Sequence, residues 1–244
     1  MTDSQLLISR IEDAILSSEY GEPSFLGFLN EVEAAEACGY LKNRRVNFTL
    51  SGGFPQASRV YLCICDSTDS VRFPITALSI KSTGSKPLTH RDFLGSLMGL
   101  GIKRECIGDI LLSSDNQAVV FVREDMAPHI IRDLDKVSRD RVKVSYYSED
   151  IESLCNRTED SRIIVSSMRI DNLVSSLVGC SRSVASELIK NDKIFCNYLL
   201  VKKPSLVIVK DDIISIRGYG KYIIGDFAGK SRRDNIILNI SRYV

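Results

Sequence analysis

Between residues 75 and 148 the apolar pattern switches repeatedly between a period of two and a period near 3.6, and that restricts the chain to few folds. ITALSIK (75–81) alternates and is rich in β-branched residues, as a strand with one buried face would be. HRDFLGSLMGL has helical spacing, and Thr89 with Asp92 supplies a capping pair at its start. DILLS (109–113) and AVVFVRE (118–124) read as strands around the polar turn SSDNQ. EDMAPHIIRDLDKV (124–137) reads as a helix with Pro128 near its first turn, where proline is tolerated. VKVSYYS (142–148) closes the series as a strand. The order βαββαβ is that of the split βαβ, or ferredoxin-like, arrangement. RNA-recognition motif domains share this order, but they stack bases on several rings of their middle strands. Only Phe121 is available there in this chain, so a match of fold is not evidence of that binding mode.

The flanking segments read differently. Residues 3–18 place Leu6, Leu7, Ile11, Ala14 and Ile15 at helical spacing, and Gly21-Glu22-Pro23 ends that unit. Asn30 with Glu33 resembles a capping box opening a helix to about Leu41. VNFTL (46–50) and RVYLCICD (59–66) read as strands joined by the loop SGGFPQASR. The expected fold is therefore α+β in three small domains. These are an N-terminal α/β domain (1–72), a central ferredoxin-like βαββαβ domain (73–150) and, after a linker with a short strand (151–166), a third domain (167–244). The third holds two short helices, at about 170–178 and 181–191, and short β segments.

Composition removes several classes. No run of about 18 apolar residues occurs, and MTDSQLLISRIEDAIL has acids where a secretory signal has a basic start and a long apolar run, so neither a membrane span nor secretion is expected. The seven cysteines are odd in number and form no CxxC. Cys63 and Cys65 share a strand face, yet the chain has only two histidines; buried thiols in a reducing cytoplasm are expected, with no metal. His90-Arg91-Asp92 spells the tripeptide of a kinase catalytic loop, but position 97 is Leu97 where that loop has asparagine. With no phosphate-binding glycine loop, GxSxG or HExxH, the tripeptide reads as a helix start. No enzyme, cofactor or small-molecule substrate is expected.

Net charge conceals an asymmetry. Residues 160–244 hold 14 Lys and Arg against 8 Asp and Glu, while residues 1–159 hold 18 against 23. A basic module with a polyanionic partner is the physical reading of such a split. Its centre is SRSVASELIKNDKIFCNYLLVKK (181–203). Ser181 is a good N-cap, and Val184, Ala185, Leu188 and Ile189 form an apolar face. Arg182, Ser186 and Lys190, four apart, share another side, and Lys193, Asn197, Lys202 and Lys203 extend the basic stripe into a hairpin.

The same residues resemble an S-four-type RNA-binding domain, named for the ribosomal small-subunit protein. The match runs from Arg169 and Asp171 through Ser181-Arg182, Ala185 and Leu188-Ile189 to Ile194, Asn197, Lys203-Pro204 and the strand Ile213 to Ile216. The resemblance implies an αααβ-like domain whose two helices and hairpin face structured RNA through backbone and shape. Asp192, Tyr198 and Asp211 stand where that family usually has turn glycines. Further similarity in HRDFLGSLMGLGIKRECIGDILL, SGGFPQASR and RGYGKYIIG (217–225) extends over nearly the whole chain to the YlmH-type bacterial RNA-binding proteins. That resemblance implies partners in ribosomal RNA and tRNA on a large ribosomal subunit obstructed by peptidyl-tRNA, in ribosome-associated quality control, with a further link to cell division.

The expected contacts follow. Arg169, Arg182, Lys190, Lys202 and Lys203 would meet phosphates, with Lys193 on the same stripe. Ser181, Ser183, Ser186 and Asn197 would add hydrogen bonds, and Arg217, Tyr219 and Lys221 lie in a turn flanked by Gly218 and Gly220. A competing role for Arg169 is an ion pair with Asp171 that fixes the helix pair. His90, Arg91, Lys103 and Arg104 form a secondary candidate surface. The alternatives to a non-catalytic RNA binder are a cell-division factor that contacts proteins and an accessory protein of RNA modification.

Overall fold

The computed structural model describes residues 2–55, 57–65, 71–84, 87–113, 116–149, 151 and 158–243. The chain divides into two compact units, Met1–Cys155 and Asn156–Val244. Part of the expected linker, residues 152–157, lies outside the described residues, as do Asp66 and, in the turn SSDNQ, Ser114 and Asp115.

In the first unit, helix α1 (Asp3–Ser18) opens on a Thr2–Gln5 capping box. Strand β1 (Ser24–Leu29) follows, and α2 (Glu31–Arg44) opens on the Asn30–Glu33 box that the spacing predicts. β2 (Phe48–Ser51) and β3 (Val60–Ile64) complete an antiparallel sheet of order β1-β3-β2, with β3 buried along its whole length. β1 was not expected. SFLGFL is apolar on both faces, so it shows no alternation to find.

The second sheet of this unit contains β4 (Ile75–Ser82), β5 (Ile107–Ser113), β6 (Gln117–Arg123), β7 (Lys136–Val137) and β8 (Asp140–Tyr146). Its order is β5-β6-β4-β8-β7 and every pairing is antiparallel. With α3 (His90–Gly99) after β4 and α4 (Ala127–Asp133) after β6, this is the βαββαβ arrangement with one added edge strand. The helix expected over 124–137 is shorter. Glu124–Met126 form a 3₁₀ turn before Pro128, and Leu134 turns extended, which sends Lys136 and Val137 into a hairpin with β8.

α3 and α4 cover one face of this sheet through Phe93, Leu97, Ile130, Leu78, Ile80 and Val120. The opposite face is covered too. Phe121 is 1% exposed, stacks on Phe54 at 4.7 Å and packs with Phe28 and Tyr61. The face on which an RNA-recognition motif stacks bases is therefore internal core at this ring. Its closeness depends on small residues. A Cβ on Gly27 would lie 2.6 Å from the Glu105 carbonyl oxygen, and one on Gly108 would lie 2.7 Å from the Phe28 ring. Gly27→Ala should therefore cost about 1–3 kcal/mol by overpacking, read as a lowered urea midpoint at an unchanged m-value.

The second unit comprises β9 (Thr158–Val165), α5 (Ile170–Val178), α6 (Arg182–Lys190), β10 (Ile194–Cys196), β11 (Leu199–Leu200), β12 (Ile213–Ile216), β13 (Gly220–Lys230) and β14 (Ile236–Tyr243). They build an antiparallel sheet of order β11-β10-β12-β13-β14-β9. α5 and α6 pack on one face of it around Leu173, Val174, Ala185, Ile189, Ile214 and Ile224. Two differences from expectation stand out. The described residues hold two α-helices where an αααβ-like domain has three, and the sheet is larger than short β segments implied. β9, in the stretch read as linker, pairs with β14 from Thr158 to Val165 and forms the sheet's edge. No described helix is long and apolar enough to cross a membrane.

Of the six cysteines among the described residues, all are free thiols, and only Cys180 is not buried. Burial pushes the Cys63 thiol up to about 12, with Cys65 beside it adding to the rise, so Cys63 packs as an apolar group at neutral pH.

Candidate RNA-binding surface

The predicted site residues fall into three groups on the second unit. The first gathers at the N-terminal ends of α5 and α6. Arg169 is the N-cap residue of α5, and its backbone forms a bridge with Val207. Its Nε and Nη2 donate to the two carboxylate oxygens of Asp171, at 3.1 Å each. Arg182, first residue of α6, donates from Nη2 to Asp171 Oδ2 at 2.8 Å. The carboxylate is 7% exposed, whereas the two guanidinium side chains are 43% and 53% exposed. Burial by itself would raise the Asp171 pKa; the hydrogen bonds and charges of Arg169 and Arg182 outweigh it and hold the carboxyl below its ordinary value. The backbone N–H of Asn172 also donates to this carboxylate, at 3.0 Å. One buried anion thus ties α5 to α6 and presents two cations outward. The competing structural role of Arg169 is realised, and it leaves Arg169 Nη1 open to solvent-side contacts among the described residues.

Along α6, Ser181 caps the helix by accepting from the Val184 N–H at 3.3 Å, and its hydroxyl lies 2.7 Å from that of Ser183. Ser186 is half-buried, and Lys190 is exposed in the last turn. Lys190, Lys193 and Lys203 have no carboxylate partner among the described residues. Lys202 is paired with Asp192 at 2.7 Å, both ends exposed, which leaves the pair open to exchange with a phosphate.

The hairpin after α6 is built on strained positions. Asn197 and Tyr198 form the two-residue loop between β10 and β11, with φ of 48° and 62°. Positive φ at both central residues makes the type I′ geometry that suits a twisted hairpin. Asp192 and Asp211 are also left-handed, at 56° and 69°. All three departures from glycine therefore keep the glycine conformation. Asn197 is occupied by structure: its Oδ1 accepts from the Ile213 N–H at 2.9 Å and its Nδ2 donates to Asp212 at 2.6 Å. It shapes the hairpin and has little left to offer a ligand.

The third group lies on the sheet face turned away from α5 and α6. Ile194, Ile214, Ile216 and Tyr222 point to the core, so their neighbours Phe195, Ser215 and Lys221 lie on the opposite face in one cross-strand row, where Phe195 is itself covered and only 3% exposed. Arg217 lies over the Phe195 ring at 5.3 Å and Lys221 lies over the Tyr198 ring at 5.6 Å. Tyr219 sits in the tight β12–β13 turn between Gly218 (φ 87°) and Gly220 (φ 117°), with its carbonyl accepting from Tyr222 Oη. The basic stripe is thus divided by the sheet, and both parts meet at its β10–β11 edge.

In the first unit, Thr89 and Asp92 close a capping box at the start of α3, as the reading of HRD as a helix start requires. His90 and Arg91 stand at that end, exposed. Lys103 and Arg104 lie beyond the other end of the ten-residue helix, about 15 Å away. Arg104 is folded inward, donating from Nη1 to the carbonyls of Ile107 and Gly108. The four residues of the secondary surface are not brought together. Arg59, absent from the predicted set, is the better-placed cation: it donates to the carbonyls of Ile107 (3.0 Å), Phe28 (2.6 Å) and Arg104 (3.3 Å). The only signal in the sequence is its position at the end of SGGFPQASR.

Comparison with known proteins fits this layout. Residues 71–150 match a family described as "Putative RNA-binding domain in YlmH", and residues 168–214 match the S4 domain. The chain is 29% identical over 196 residues to the ribosome-associated protein quality control protein P2 of Bacillus subtilis, covering 78% of this chain and 75% of that protein. It is also similar in fold to the solved structure of cell division protein YlmH from Streptococcus pneumoniae, with a TM-score of 0.53 at 17% identity, over 61% of this chain and 93% of that one. The chain therefore carries, in this order, a YlmH-type RNA-binding domain and an S4 domain, the second of which contains the Asp171-linked arginine pair and the β10–β11 hairpin.

Proposed function

We propose that this protein is a non-catalytic binder of structured RNA that acts in the cytoplasm on ribosomal RNA and tRNA of a large ribosomal subunit carrying peptidyl-tRNA, in ribosome-associated quality control. The single observation that carries this reading is the outward-facing guanidinium pair held by buried Asp171 inside the S4-matching segment. The likeness to the Bacillus subtilis quality control protein supports the ribosomal context. A-form RNA presents phosphates and 2′-hydroxyls where its deep groove cannot be read, and cations beside small hydroxyls are suited to both. Arg169, Arg182, Lys190, Lys193, Lys202 and Lys203 supply charge in this reading, and Ser181, Ser183 and Ser186 supply hydrogen bonds. Arg217, Tyr219 and Lys221 contact RNA that passes around the sheet edge. The division into domains 1–72, 73–150 and 167–244 belongs to the same reading, with the central domain a second RNA-binding domain and the contacts assigned to named residues in the last.

Co-sedimentation from lysate tests it, comparing the wild type with a folded Arg182→Glu/Lys190→Glu variant. The expected result is that the wild type travels with the large subunit and the variant stays at the top of the gradient. Equal co-sedimentation of both would remove the site assignment, and absence of both from ribosomal fractions would remove the ribosomal role.

A further inference from the structure

A cleft of about 470 Å³ lies in the first unit, bordered by β1, the start of α2, the end of the 52–59 loop and the turn at 103–105. Its size is that of a small-molecule site. Arg10, Arg59, Lys103 and Arg104 line it, against two carboxylates, Glu33 and Glu105. Both carboxylates are engaged. Glu105 pairs with Arg10 at 3.0 Å, and Glu33 accepts from the Asn30 N–H at 2.7 Å to close the cap of α2. Asp109 behind Arg59 accepts from the backbone N–H groups of Ser58 and Arg59.

The two inner guanidiniums are held in place by backbone carbonyls and have no carboxylate hydrogen-bonded to them among the described residues. Arg59 Nη1 and Arg104 Nε and Nη2 make no hydrogen bond among the described residues. Burial pushes the Arg104 guanidinium down to about 10, and the neighbouring Arg59 charge adds to the fall; burial likewise lowers Arg59, while the charges of Glu33 and Asp109 oppose the fall at both. Two adjacent cations, partly desolvated and fixed by main chain, form a receptor that an oxyanion would complete. Lys103, exposed and without a carboxylate partner among the described residues, stands at the rim.

We propose that this cleft binds a phosphate monoester of nucleotide size, with the phosphate on Arg59, Arg104 and Lys103 and the ribose hydroxyls toward Glu33 and Asn30. A single inorganic phosphate fills little of such a volume. A dianion fits three cations better than the single charge of an internal phosphodiester. All the residues lining the cleft belong to the first unit. A free mononucleotide and the 5′-phosphate end of an RNA offer the same chemistry.

Calorimetry on the full chain tests it with adenosine 5′-monophosphate, adenosine, and one short RNA carrying either a 5′-phosphate or a 5′-hydroxyl. The expected result is binding of the monophosphate but not adenosine, weakened about tenfold or more by Lys103→Glu and by Arg104→Gln, and unchanged by Arg182→Glu. A 5′-phosphate preference in the RNA pair would identify the RNA end as the source, and its absence would identify the free nucleotide. Lys103→Glu replaces an exposed side chain and keeps the test valid if Arg104→Gln fails to fold. Equal binding of adenosine and its monophosphate, no heat with either at millimolar concentration, or binding that survives Lys103→Glu would overturn the proposal.

Discussion

Arg182→Glu combined with Lys190→Glu will lower the affinity for a structured RNA hairpin by about 100-fold at low salt. Each residue offers a charge-assisted hydrogen bond to phosphate, and solvent exposure reduces its worth below that of a buried contact. The two positions lie two turns apart on α6, on a helix fixed to the sheet through Ala185 and Ile189. Lys190→Glu changes surface charge alone, whereas Arg182→Glu also removes the hydrogen bond to buried Asp171 and sets a second carboxylate beside it, so the fold of the variant is checked by thermal melt. A second signature separates lost contacts from lost fold. With about five phosphates neutralised, log K for the wild type should fall against log[salt] with a slope of about −3.5 to −4.5. Removing two contacts should bring the slope to about −2.1 to −2.7. An unchanged slope with weaker binding would mean that the variant perturbs the domain and that phosphates are met elsewhere. A wild-type slope near zero would remove the electrostatic account altogether.

What the sequence made legible divides along physical lines. Elements that announce themselves by local chemistry were found: the boxes at Asn30–Glu33 and Thr89–Asp92, and the alternating strands of the βαββαβ unit. Elements defined by distant partners were legible in part or not at all. β1 is apolar on both faces and has no period, and of β9 only a short strand within a linker could be read, because it becomes the edge of a sheet only by pairing with β14 more than seventy residues later. The candidate site shows the same division. The helical spacing of Arg182, Ser186 and Lys190 is readable along one helix. That Asp171 serves Arg169 and Arg182 together requires α5 and α6 to pack, and only the first half of that link is visible as a spacing of two. Arg104 shows the converse. Its charge suggested an exposed contact, yet carbonyls at the start of β5 turn it inward, toward a cleft that includes Arg59. The Asp192, Tyr198 and Asp211 positions depended on a family pattern, and the backbone keeps left-handed geometry at each despite the side-chain cost.

Asp171→Ala should affect both stability and binding, because this carboxylate is the shared anion of the arginine pair. It also accepts the Asn172 N–H. Removing one partner of a fully buried ion pair typically costs about 3–5 kcal/mol. Here Arg169 and Arg182 are roughly half exposed and can rehydrate, so the expected cost is about 1–3 kcal/mol, seen as a lower urea midpoint. RNA binding should weaken even where the variant is fully folded, since two untethered arginines must be ordered again on the RNA, at about 0.5–1.5 kcal/mol for each side chain. The wild type carries a matching pH signature. The Asp171 pKa is held below its unfolded value of about 3.9. Its contribution is therefore complete above that value and is lost as the pH falls through the lower folded value. Between neutral pH and about pH 2 the wild type should lose more stability than Asp171→Ala does, with the two curves converging at the acid end. Parallel curves over that range would show that Asp171 is not the anion that holds the pair, and the lowered affinity of its alanine variant would then need another cause.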